Sequence, residues 1–188
     1  YVSSGKTIQN VNAPSVTTMK QADAEKLLKD KKLIAEVEEV YYSKGSNYEY
    51  APVGYVIKQE PASGSSIAEG STVKIYVNKG FSANITVNLP SDLKLEQYYV
   101  SLWADGVAVA ESKMLDATQL SKYTFENVTS KRDSGTYTVK IRSASSNALD
   151  YQVLTVDFKE GTAKRVGSYD DYKKLDADTS SSDNEDFN

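Results

Sequence analysis

Only one stretch of this 188-residue chain has the spacing of a helix. Ala24, Leu27 and Leu28 form a short apolar stripe, with Asp23, Glu25, Lys26, Lys29 and Lys32 mostly facing water. Everything else that is periodic alternates with the period of two that belongs to strands. Around the helix, Leu33 to Tyr42, Gly54 to Gln59 and Thr72 to Val77 are expected strands, the first at an edge or half exposed because its alternation is imperfect. After Gly80 the helix period disappears. Ile85, Val87 and Leu89 alternate, then Tyr98, Val100 and Leu102 against Tyr99 and Trp103. Tyr123 to Val128, Thr136 to Ile141 and Tyr151 to Phe158 follow. About seven short strands without a helix fit a β-sandwich. The fold class is therefore an α+β module, one helix on a three-stranded sheet, followed by an all-β sandwich.

Local signals place the joints. Thr18-Met19-Lys20-Gln21 has the form of a capping box at the helix start. Asp105-Gly106, between Trp103 and Val107, is a two-residue hairpin signal. Tyr1-Val2-Ser3-Ser4-Gly5 reads as a strand end, and Tyr76-Val77-Asn78-Lys79-Gly80 repeats it. Residues 1–11 are thus expected to finish a preceding repeat and link it to a module at 12–80. The sandwich occupies 81–167. Residues 168–188, with Asp176-Ala177-Asp178-Thr179-Ser180-Ser181-Ser182-Asp183, read as a disordered, solvated, acidic tail.

The inventory narrows the chemistry. The chain has no cysteine and no histidine, so disulfides, thiolate metal sites and histidine-dependent triads are excluded. No catalytic residue, metal or cofactor is expected, and the chain is expected not to be an enzyme. The net charge of −4 belongs to the tail, since residues 12–80 and 81–167 each balance to zero. Neither segment has the basic excess that draws nucleic acid or an anionic membrane. No apolar run approaches the roughly 18 residues needed to span a bilayer.

The run Gly54-x-Val56-Ile57-x-Gln59-x-Pro61-x-x-Gly64-x-x-Ile67-x-x-Gly70-Ser71-x-Val73-x-Ile75-x-Val77-x-x-Gly80 closely resembles the signature of the PASTA domain. Pro14, Val16, Met19, Ala24, Leu27, Leu28 and Leu33 fall where that family has its entry segment and helix. Thr18 and Lys32 stand where the family usually has glycine, and Lys20 where it often has a capping serine. Asp133-Ser134-Gly135-Thr136-Tyr137 resembles the tyrosine-corner segment of immunoglobulin-like (Ig-like) sandwiches, with Val139 in place of the usual cysteine. The PASTA resemblance implies an extracellular segment of a bacterial membrane Ser/Thr protein kinase, tethered through a transmembrane helix outside this chain. It implies neighbouring PASTA repeats and peptidoglycan fragments (muropeptides) as partners, with ligand-induced dimerisation as one route to activation. The alternatives are a non-binding spacer or protein-interaction stalk, and a penicillin-binding protein as parent.

Five of the fourteen tyrosines lie between residues 41 and 55. An aromatic ring offers an apolar face to sugar C–H groups and a hydroxyl for polar contacts. Tyr48, Tyr50 and Tyr55, with Lys58 for a stem-peptide carboxylate and Gln59 for a ligand amide, are the candidate binding residues. The plainer expectation for the tyrosines is packing beneath the loop; for Gln59 it is satisfying backbone at the strand end. Glu36 and Glu38 share a face, with Glu39 on the other, but no second motif supports acid/base chemistry there.

Overall fold

The computed structural model describes residues 9–48 and 50–178. The readings on Tyr1 to Gly5 and on the end of the chain lie outside them. The chain divides into two compact units, residues 1–81 and 82–188.

In the first unit β1 (Asn10–Asn12), α1 (Gln21–Asp30), β2 (Ile34–Tyr42), β3 (Val56–Glu60), β4 (Ser66–Ala68) and the start of β5 (Thr72–Asn88) follow in order. β5 is central, with β2 parallel on one side and β3 antiparallel on the other. The expected edge strand is thus β2. A small ribbon of β1 and β4, absent from the sequence reading, closes the turn-rich segment. Ala24 and Leu28 of α1 form one apolar cluster with Val16, Leu33, Val56, Val73, Ile75 and Val77. Each fully buried Val, Leu or Ile among them stabilises the unit by about 1.5–3 kcal/mol. The helix therefore covers the sheet face on which the odd-numbered residues 73, 75 and 77 lie.

Both helix ends differ from expectation in an informative way. The N-cap is Lys20, which makes no side-chain cap, and Thr18 is in the left-handed region at φ 68°. The capping box is therefore not formed. Gln21 sits inside the helix, donating from Nε2 to Glu25 at 2.8 Å, while its backbone N–H is satisfied by the Gly54 carbonyl at 3.1 Å. At the other end Lys32 is left-handed at φ 58°. The Lys32 N–H donates to the Lys29 carbonyl at 2.9 Å and the Leu33 N–H to the Leu28 carbonyl at 2.9 Å. That is a Schellman stop, with the Leu28–Leu33 contact that accompanies it. Thr18 and Lys32, the two non-glycine departures from the family pattern, occupy backbone conformations that glycine adopts without strain.

β5 does not end at Gly80. Val40 pairs with Asn78 but Tyr41 with Gly80, so Lys79 is an inserted bulge residue and the strand runs on to Asn88. The apparent strand end at 76–80 is a bulge.

The second unit contains the end of β5, which pairs with β9 (Lys122–Ser130), and a larger sheet. That sheet is ordered β12 (Thr162–Ser168), β11 (Leu149–Asp157), β10 (Ser134–Arg142), β6 (Gln97–Ala104) and β7 (Val107–Glu111), with β8 (Leu115–Asp116) also on β6. The Asp105-Gly106 hairpin forms as expected, both residues at positive φ (49° and 79°) as a type I′ turn requires. Alternate residues on these strands are buried, among them Ile85, Val87, Tyr98, Val100, Leu102, Val139, Ile141, Leu154 and Val156. Tyr137 is buried in β10 with its ring 5.8 Å from Phe158.

A solvated tail from residue 168 is overturned for its first part. Asp171–Lys174 form a 3-10 turn and Leu175–Asp178 a helical turn, α2. Tyr172 and Leu175 are buried, and Tyr172 donates its hydroxyl to Asp92 at 2.7 Å. The acidic composition hid two apolar anchors spaced by three residues.

Candidate functional site

Alternation along β5 sends Lys74, Tyr76 and Asn78 to the sheet face that α1 leaves open. The register sets Tyr76 between Glu38 of β2 and Lys58 of β3. Tyr76 packs with Ala51 and Ile57, against which Val40, Tyr48 and Tyr55 also lie. The Tyr48 ring is tilted over Tyr76 with centroids 6.0 Å apart. Lys58 Nζ lies 5.0 Å from the Tyr76 centroid, and the Tyr76 hydroxyl donates to Glu60 at 2.8 Å. The result is an aromatic floor edged by charged groups.

Those charges are largely matched. Lys58 pairs with Glu60, and Lys74 reaches Glu38 at 3.2 Å and Glu36 at 3.5 Å. The Glu60 hydrogen bond raises the Lys58 pKa; in return Lys58 and then Tyr76 lower that of Glu60. The Glu60 bond also raises Tyr76, and Glu38 raises Lys74. The shifts of Lys58, Glu60 and Lys74 favour their ion pairs near neutral pH, and that of Tyr76 keeps its hydroxyl a donor. Glu36 and Glu38 do share a face, but Lys74 bridges them, which suits an ion-pair network and not an acid/base couple.

The five expected site residues part company. Tyr48 and Lys58 meet at Tyr76, and Tyr55 packs against the same cluster. Tyr50 belongs to a second aromatic group, stacked 6.2 Å from Phe81 and edge-on to Tyr42 at 5.5 Å. Gln59 is turned inward. Its Oε1 accepts the Val16 N–H at 2.8 Å, and Nε2 donates to the carbonyls of Pro14 (3.0 Å) and Pro61 (3.2 Å). It is 7 % exposed, and its amide bonds backbone at each of these three contacts.

Two residues escaped the sequence reading. Tyr76 is the centre of the face, a position that the alternation of Val73, Ile75 and Val77 already implied. Asn78 is buried, donates from Nδ2 to the Ala51 carbonyl at 2.7 Å and accepts the Gly80 N–H at 3.0 Å. It ties the tyrosine-bearing loop to the bulge, and no local pattern marks it. Among the described residues no group of three or more carboxylates is arranged to hold a metal ion, and no helix is long and apolar enough to cross a membrane.

No curated protein matches the chain. A solved structure, the entire extracellular region of the Ser/Thr kinase PrkC from Staphylococcus aureus, is similar over 76% of this chain at 23% identity, with a TM-score of 0.33. The chain spans about half of that structure, 51%. The family model of the PASTA domain matches residues 11–79, the segment that folds into the helix, the β2-β5-β3 sheet and the β1-β4 ribbon. Over residues 11–79 this chain is similar to the PASTA domain.

Proposed function

We infer that this chain is an extracellular sensor segment of a bacterial membrane Ser/Thr kinase, and that its PASTA sheet face takes muropeptides. The observation that carries the reading is the Tyr48–Tyr76 floor with Lys58 over it. An aromatic floor suits a sugar ring's C–H face, and an ammonium beside it suits a stem-peptide carboxylate. Gln59 is no longer part of the proposed contact set, and Tyr50, in a separate cluster, is peripheral to it. The second unit is proposed as an Ig-like sandwich, because the β11-β10-β6-β7 order follows the G-F-C-C′ order of such domains. Ligand engagement would concentrate or dimerise the parent at sites of wall synthesis.

A spacer is the second reading, and one observation favours it: Lys58 and Lys74 are both already paired with carboxylates. A ligand carboxylate must then compete with Glu60. The experiment is an NMR titration with purified muropeptides that differ only in the third stem residue. The sensor reading expects saturable, stem-selective shifts at Tyr48, Lys58 and Tyr76, lost in Tyr48→Ala. A silent PASTA unit with dispersed native spectra would sink it in favour of the spacer.

A further inference from the structure

The second unit carries an aromatic groove of its own. β6 and β10 place Tyr99, Ser101 and Trp103 beside Lys140 and Arg142, with Tyr99 opposite Arg142 and Ser101 opposite Lys140. The Trp103 indole N–H donates to Ser101 Oγ at 2.8 Å, and the ring is half-buried. Lys140 approaches that ring from the β10 side, 4.7 Å from its centroid. Toward β7 lies a groove of about 410 Å³ lined by Trp103, Ala108, Glu111, Arg142 and Asn147.

Arg142 is held in one plane. It lies 4.0 Å over the Tyr99 ring, its Nε donates to Glu111 at 2.7 Å and its Nη1 to the Ser143 carbonyl at 3.2 Å. The charges around the groove cancel in pairs, Arg142 with Glu111 and Lys140 with Asp150 at 2.9 Å. A charged ligand therefore gains little from the local field. What the groove offers is an indole face, a fixed guanidinium–carboxylate pair and the exposed Asn147 amide. Neighbouring hydroxyls on a pyranose match such planar polar groups, each able to donate to the carboxylate and accept from the guanidinium or amide. The C–H face of the same ring can lie on the indole. The volume falls in the usual range of roughly 300–1,000 Å³ for small-ligand sites, enough for about one or two sugar rings.

We propose that the Trp103–Glu111–Arg142–Asn147 groove of the second unit binds a neutral saccharide chain. This site is separate in its residues from the PASTA face and requires no stem peptide. The chain has a single tryptophan, so its fluorescence reports on the groove directly. The test titrates the whole chain with chitotetraose, a peptide-free sugar, reading Trp103 emission and backbone NMR shifts together. The expected result is a saturable emission change with shifts at Trp103, Arg142 and Asn147, and none at Tyr48 or Lys58. Asn147→Ala, on an exposed loop, should weaken binding about threefold or more. Trp103→Ala should remove it by NMR. A titration flat into the millimolar range, an affinity unchanged in Asn147→Ala, or shifts surviving Trp103→Ala would each overturn the proposal. The PASTA reading is scored by stem-bearing ligands at Tyr48 and Lys58, so the two fail separately.

Discussion

The side-chain carbonyl of Gln59 accepts the backbone N–H of Val16 at 2.8 Å across 43 residues of sequence. That bond joins the entry segment to the end of β3. Two further bonds from the Gln59 amide to Pro14 and Pro61 complete a small buried knot. Proline supplies carbonyls but no N–H, so a side-chain donor is what this junction needs.

Gln59→Leu should therefore act on stability. It strands the Val16 N–H in the core and costs about 1–3 kcal/mol. Urea unfolding should show the loss while the folded variant keeps whatever ligand affinity the PASTA face has. A wild-type midpoint would contradict the assignment.

Thr18→Gly should stabilise the PASTA unit. A β-branched residue at φ 68° costs about 1–2 kcal/mol relative to glycine, partly offset by glycine's freer unfolded chain. The net gain expected is roughly 0.5–1 kcal/mol, read as a higher denaturation midpoint. Lys32→Gly tests the same strain at the helix stop. The Lys32–Glu69 pair it removes is largely exposed on the lysine side, so its loss should matter little. If neither variant rises above wild type, the left-handed conformations are not strained.

Tyr98 is fully buried, and among the described residues its hydroxyl has no hydrogen-bond partner. Tyr98→Phe removes an unsatisfied polar atom without opening a large cavity, so it should be neutral or stabilising by about 1 kcal/mol. A loss above about 1 kcal/mol would reveal a partner for that hydroxyl.

Alkaline pH should destabilise the second unit through the same residue. Burial pushes the Tyr98 pKa up to about 12, so the folded state holds its proton after the unfolded chain has released it. The contribution is complete below the unfolded value near 10 and disappears as pH rises toward 12, at about 1.4 kcal/mol per pH unit. Tyr172, raised to about 12 by burial and then by its bond to Asp92, shifts in the same direction. Tyrosinate absorbance should show one late-titrating group fewer in Tyr98→Phe than in wild type.

Removing residues 171–188 should loosen the second unit by several kcal/mol, because Tyr172 and Leu175 are buried and the Tyr172 ring stands edge-on to Tyr151 at 4.9 Å. Removing only residues 179–188 separates these anchors from the rest of the acidic tail. Equal stability of the two truncations would return the whole tail to solvent.

Local order determined what could be read from the sequence. The helix at 21–30, the strands of the PASTA sheet and the Asp105-Gly106 hairpin follow from apolar spacing and turn chemistry, which act between near neighbours. The absence of cysteine and histidine and the even charge of the body are likewise properties of the chain alone. What needed the tertiary structure depends on residues far apart in sequence. The bulge at Lys79 exists because β2 and β5 pair in parallel register across about forty residues. The Gln59 amide faces inward because Pro14 and Val16 arrive beside it from the other end of the unit. Tyr48 and Lys58 share a floor while Tyr50 leaves it, since loop closure onto Asn78 decides which tyrosine lands on Tyr76. Composition made 168–178 look solvated, and burial of Tyr172 and Leu175 decided otherwise, because two apolar anchors outweigh several exposed acids once a surface is there to receive them.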